Sequence, residues 1–136
     1  GKNNASSILA KNISEDSYLL TNSFGGLQRD IETLNFNYDF VVLFGIDKSL
    51  KDTVRIEKAA EKETREFSAL NLEKISAQLA AAGISNYLSE NPTHYLCNDA
   101  YWHLLRKFNR KVVLIHIPSI RNISENFINR LSIAFR

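Results

Sequence analysis

Methionine is missing from all 136 residues, and cysteine occurs once, at Cys97. A lone cysteine excludes an internal disulfide, which agrees with a reducing compartment, and a cytoplasmic protein is expected. No apolar run approaches the roughly 20 residues that span a bilayer, and no signal-peptide pattern opens the chain, so no membrane contact is expected. The 17 basic and 15 acidic residues are interspersed and leave a net charge of +2. There is thus no basic block of the kind that grips nucleic acid. One cysteine and three scattered histidines give no metal-ligand spacing. Gly25-Gly26 lacks the lysine and serine or threonine of a phosphate loop, and no cofactor is expected. The abrupt opening Gly1-Lys2-Asn3-Asn4, with no methionine, has two readings: an N-terminal piece lies outside these residues, or methionines were modified and lost from the sequence.

What is present describes one α/β domain over residues 1–136. Hydrophobic residues at 44% and charged residues at 24% are ordinary for a globular chain of this length. Periodicity predicts helices over 6–12, 27–34, 70–82, 98–108 and 124–135, and strands over 17–21, 38–44, 84–88 and 111–117. In the charged stretch 46–67 the only strand-like signal is Thr53-Val54-Arg55-Ile56-Glu57. Gly45 is expected to end the strand at 38–44, which reads as buried on both faces. Gly83 is expected to stop the helix at 70–82. Helices and strands alternating at short spacing imply a three-layer α/β/α sandwich with a largely parallel central sheet. The site of such a sheet lies beyond the carboxyl ends of its strands.

Cys97 falls at that edge, just after one strand and in the opening turn of a helix. Unpaired N–H groups and the positive end of the helix dipole favour a thiolate there. The alternative is a small buried core cysteine. His116 interrupts the aliphatic strand Val112-Val113-Leu114-Ile115-His116-Ile117, where an unpartnered imidazole would leave buried polar atoms unsatisfied. It is either a core histidine bonded to backbone or the base for Cys97. Glu57 alternates with Val54 and Ile56, and either faces water on an edge strand or joins the other two. His94 and His103 have no supporting context, His103 being placed on the exposed side of its helix. Tyr95, Tyr101 and Trp102 are expected to be exposed or half-exposed, and read as packing residues rather than a base-stacking platform. A cysteine, a histidine and a carboxylate on separate elements are the parts of a cysteine hydrolase.

The segment Ser89-Glu90-Asn91-Pro92-Thr93-His94-Tyr95-Leu96-Cys97-Asn98 resembles the serine-led loop and tyrosine-leucine-cysteine-asparagine run of the pyroglutamyl peptidase I (pyrrolidone-carboxylate peptidase) family. Ile115-His116-Ile117-Pro118 is similar to that family's histidine strand. Val54-Arg55-Ile56-Glu57-Lys58-Ala59-Ala60 is similar to its glutamate segment, and Asn4-Ala5-Ser6-Ser7-Ile8-Leu9-Ala10 to the helix after its first strand. The resemblance implies a thiol peptidase that removes N-terminal pyroglutamyl residues, with a blocked peptide as substrate. It implies Cys97 as nucleophile, His116 as general base and acid, and Glu57 as the residue orienting His116.

The departures from the family fall around the specificity pocket. The family's first strand and its glycine-phenylalanine-glutamate-proline-phenylalanine loop are not in this sequence. Ile46 stands where many members have a glutamine on the lactam, and Asp47-Lys48-Ser49-Leu50-Lys51-Asp52 replaces a glycine- and arginine-containing loop. Ile46 and Leu96 are the candidate substrate contacts. These 136 residues alone are therefore expected to hydrolyse pyroglutamyl amides poorly or not at all, with the site chemistry kept. The alternative is a catalytically impaired relative serving as an interaction or assembly module, with a strand edge left to pair in a homo-oligomer.

Overall fold

The computed structural model describes residues 23–34, 38–93 and 95–135. The helix expected at 6–12 and the strand at 17–21 lie outside them, as does His94. The described elements are, in chain order, α1 (Phe24–Thr33), β1 (Val41–Ile46), β2 (Thr53–Glu57), β3 (Ala59–Glu61), β4 (Arg65–Phe67), α2 (Leu72–Ala81), β5 (Ser85–Ser89), α3 (Leu96–Lys107), β6 (Val112–Ile117), a 3-10 turn (Ile120–Asn122) and α4 (Glu125–Ala134).

Helix ends follow local chemistry. Ser23, Asn71 and Ser124 cap α1, α2 and α4 by accepting from the N–H groups of Gly26, Lys74 and Phe127. Ser23 starts α1 three residues before the expected position, so Gly25 and Gly26 lie within the helix. At the end of α2, Gly83 takes a left-handed φ of 79°. Its N–H reaches the carbonyl of Ala80, and the N–H of Ile84 reaches that of Leu79. These two bonds make a Schellman closure. Leu79 and Ile84 then enter the same core cluster.

The main sheet runs β1-β6-β2-β5. β1 pairs with β6 and β2 with β5 in parallel, while β2 and β6 meet antiparallel. All six residues of β6 are buried, because it is interior to the sheet and covered on both faces. Val113, Ile115 and Ile117 join Val54, Ile56, Leu79, Phe127 and Leu131 on the face covered by α2 and α4. Val112 and Leu114 join Leu27, Ile31, Tyr101, Leu104 and Leu105 on the face covered by α1 and α3. Three layers with a largely parallel sheet are the expected architecture. Leu79, fully buried in the first cluster, is the clearest core probe. Leu79→Ala should lower unfolding free energy by about 2–5 kcal/mol in a denaturant titration. A cost under about 1 kcal/mol would mean that the α2 face is not a packed core.

Four expectations are corrected. Among the described residues β1 is an edge strand of its sheet, and most of it is half-buried rather than buried on both faces. Gly45 lies inside β1 instead of ending it. The charged stretch holds, besides β2, a β3–β4 hairpin that carries no alternating apolar pattern. Tyr101 and Trp102 are buried, and His103 is half-buried beside Asp99 and Lys62. Tertiary hydrogen bonds explain the last point: Tyr101 Oη donates to the carbonyl of Glu57, and Trp102 Nε1 to that of Thr64.

Candidate active site

Strand alternation places Arg55, Glu57 and His116 on the face of the sheet that α1 and α3 cover. Arg55 stands directly opposite His116 in the antiparallel β2–β6 register, and Glu57 lies opposite Leu114. Glu57 therefore approaches the imidazole diagonally, within the range of cross-strand neighbours. Its Oε1 lies 2.9 Å from His116 Nδ1. Both side chains are buried, at 1% and 4% exposure. β2 is an interior strand, so Glu57 does not face water.

Cys97 reaches the same imidazole from the first turn of α3. Gly45, paired with His116 across β1–β6, marks how close the approach is. A Cβ on Gly45 would lie 2.6 Å from Cys97 Sγ and 3.2 Å from His116 Nε2. With Nδ1 engaged by Glu57, Nε2 is the ring nitrogen on the thiol side. Burial alone would push the His116 pKa down, but hydrogen bonds to Cys97 and Glu57 outweigh it and raise the value to about 9.

The opening of α3 bears no side-chain cap. Its first intrahelical bond runs from the N–H of Asp99 to the carbonyl of Tyr95, which leaves the earlier N–H groups of the turn unused by the helix. Asn98 pins that turn: its Oδ1 accepts from Glu61 N–H at 3.0 Å and its Nδ2 donates to the Glu61 carbonyl at 2.7 Å. Tyr101, one turn on, holds the backbone of Glu57 itself. The β3–β4 hairpin is thus a strap joining Glu57 to the helix that carries Cys97.

The structure brings together Cys97, His116 and Glu57. It does not bring Ile46 to them: Gly45 points at Cys97, so Ile46 turns to the opposite face and packs with the Ile115 and Ile117 cluster. Leu96 packs into the α1–α3 core. Sequence reasoning missed Gly45, Arg55 and Asp47. Arg55 Nε donates to Glu57 Oε1 at 2.5 Å and its Nη1 meets Asp47 Oδ2 at 2.8 Å. The signal for Arg55 was its spacing, since residues two apart on a strand share a face.

Among solved structures, a mutant pyrrolidone carboxyl peptidase from the hyperthermophile Pyrococcus furiosus aligns over 96% of this chain and 88% of its own, with a TM-score of 0.80 and 18% identity. The pyrrolidone carboxyl peptidase from Thermococcus litoralis aligns over 96% and 84%, with a TM-score of 0.79 and 14% identity. The chain has the pyrrolidone carboxyl peptidase fold. A further structure of the Pyrococcus furiosus enzyme gives a TM-score of 0.77 at 19% identity, over 98% of this chain and 89% of that one. No protein-family model and no curated protein sequence matches the chain. The likeness expected from four short segments thus holds for the fold across nearly the whole peptidase, although fewer than one residue in five is shared. No described helix is long and apolar enough to cross a membrane.

Proposed function

We propose that this chain is a cysteine hydrolase of the pyroglutamyl peptidase type, with Cys97, His116 and Glu57 as its catalytic residues. The observation that carries this reading is the buried imidazole of His116, held by Glu57 on one nitrogen and facing Cys97 with the other. That is the arrangement of an activated nucleophile, its base and the residue orienting the base.

In the reaction the Cys97 thiolate attacks the acyl carbon of the scissile amide and forms a C–S bond. Unused N–H groups of the first turn of α3 stabilise the oxyanion. The intermediate collapses by breaking the C–N bond as imidazolium His116 gives its proton to the leaving amine. His116, now neutral, takes a proton from water, whose oxygen attacks the thioester and releases the acid and the thiol. The raised pKa of His116 favours the imidazolium needed in the first half, and Glu57 keeps Nε2 aimed at Sγ. Peptides with an N-terminal pyroglutamyl residue are the substrate class that the shared fold and the Cys97 and His116 motifs favour.

Two measurements on the folded protein test this reading. Iodoacetamide at pH 7 should modify Cys97 stoichiometrically by intact mass, and that modification should abolish release of amine from a pyroglutamyl amide. Modification seen only after denaturation would make Cys97 a core residue. Turnover that survives complete alkylation would place the chemistry elsewhere.

A further inference from the structure

We propose that Arg55 is a positioning residue that fixes the Glu57 carboxylate against His116 and, through Asp47, balances the charge of the site. The inference rests on the reading of His116 as acid and base. Its first ground is a shared atom: Arg55 Nε and His116 Nδ1 both contact Glu57 Oε1, at 2.5 and 2.9 Å. Among the described residues, the buried Glu57 Oε2 has no hydrogen-bond partner. Both anchors therefore lie on one oxygen, and the guanidinium decides which way the carboxylate is turned. The second ground is register, because Arg55 is the residue directly opposite His116 on β2.

The charges around the imidazole come from separate elements and alternate in sign. β2 contributes Glu57 and Arg55, and α3 contributes Cys97. β1 presents only Gly45, while the loop after β1 supplies Asp47 on the far side of Arg55. β5 adds the Tyr87 hydroxyl as a further partner of Arg55. Asp47 is itself held ionised: burial would raise its pKa, but bonds from Ser49 and Arg55 lower it to about 2. The row Asp47, Arg55, Glu57, His116 thus reads minus, plus, minus, plus. Removing Arg55 takes a cation away from the imidazolium and leaves Glu57 to His116 alone, so His116 should hold its proton more tightly. Removing the charge of Asp47 lets Arg55 draw more fully on Glu57, so His116 should hold its proton less tightly. A residue that merely supports the fold has no reason to give shifts of opposite sign.

The experiment is an NMR titration of the full chain with isotope-labelled histidine, the His116 signal being assigned by its loss in His116→Gln. Arg55→Gln should move the His116 midpoint up by about one pH unit and Asp47→Asn should move it down by about half a unit. Arg55→Lys keeps the charge and should stay within about 0.3 units of the parent. Shifts of the same sign in Arg55→Gln and Asp47→Asn, or no shift in either, overturn the proposal. If Arg55→Gln does not fold, the downward shift of Asp47→Asn with an unmoved Arg55→Lys carries the test, and any other pair of results overturns it. Turnover is not part of this readout. A Cys97 that iodoacetamide modifies only after denaturation, with the opposed shifts present, would sink the proposed function alone. Wrong signs with Cys97-dependent turnover intact would sink this inference alone.

Discussion

Replacing His116 by Gln should slow both Cys97 alkylation and Cys97-dependent hydrolysis by roughly 10²–10⁴-fold, the usual contribution of a positioned acid–base group. Glutamine is chosen because its amide N–H can still donate to Glu57 Oε1, which His116 Nδ1 now contacts at 2.9 Å. It cannot carry the charge that partners a thiolate, nor pass a proton to the leaving amine. Some stability will be lost, since Gln must satisfy its polar atoms on a fully buried strand; about 1–3 kcal/mol is expected. Circular dichroism and a denaturant midpoint separate that loss from the chemical one. The pH dependence adds a second signature. His116 titrates at about 9 in the folded protein, so the parent holds the imidazolium through neutral pH and loses it only as pH rises through that value. Above that pH His116 no longer carries the charge that the variant lacks, and parent and variant alkylation rates should converge. Equal rates in the two proteins at pH 7 would dissolve the pairing of His116 with Cys97.

Much of this arrangement was legible in the chain because periodicity reports burial, and burial locates strands and helices. The run Val112-Val113-Leu114-Ile115-His116-Ile117 reads as an interior strand, and it is buried at every position. A histidine there needs partners, and the structure supplies Glu57 and Cys97. What sequence left open was which strands become neighbours. β2 and β6 are separated by more than fifty residues, and their antiparallel pairing decides whether Glu57 meets water or imidazole. No local pattern encodes that choice. The β3–β4 hairpin was invisible for a related reason: its residues are held by side-chain bonds from α3, through Asn98, Trp102 and Arg106, rather than by an alternating apolar face. Glu66, in the same charged stretch, is buried between Thr64, Arg106 and Arg110. Gly45 reads as a strand terminator because glycine weakens a strand interior, yet it lies inside β1. Its actual role is to leave space for two side chains from other elements.

That space supports the other large prediction. Gly45→Ala should produce a folded protein whose Cys97 alkylates about 10²-fold or more slowly at pH 7, the lower end of what losing a positioned acid–base partner costs. The added methyl would stand 2.6 Å from Cys97 Sγ, inside any tolerated contact, and 3.1 Å from His116 Cδ2. His116 is fixed by Glu57 and by a buried strand, whereas Cys97 is short and turns about one side-chain torsion. The thiol is therefore the group that yields, and rotating it away from His116 breaks the pair while leaving the sheet in register. Overpacking of this kind costs about 1–3 kcal/mol, which β1, an edge strand among the described ones, should absorb. The double variant Gly45→Ala with His116→Gln then becomes decisive. If methyl and imidazole act on the same contact, adding Gly45→Ala to His116→Gln should slow alkylation little further, because the lost interaction is already gone. Additive slowing would mean that the methyl acts on reagent access rather than on the thiol–imidazole contact. A parent-like rate in Gly45→Ala would mean that Sγ does not occupy the space in front of Gly45, and with it the geometry on which the whole site rests would be wrong.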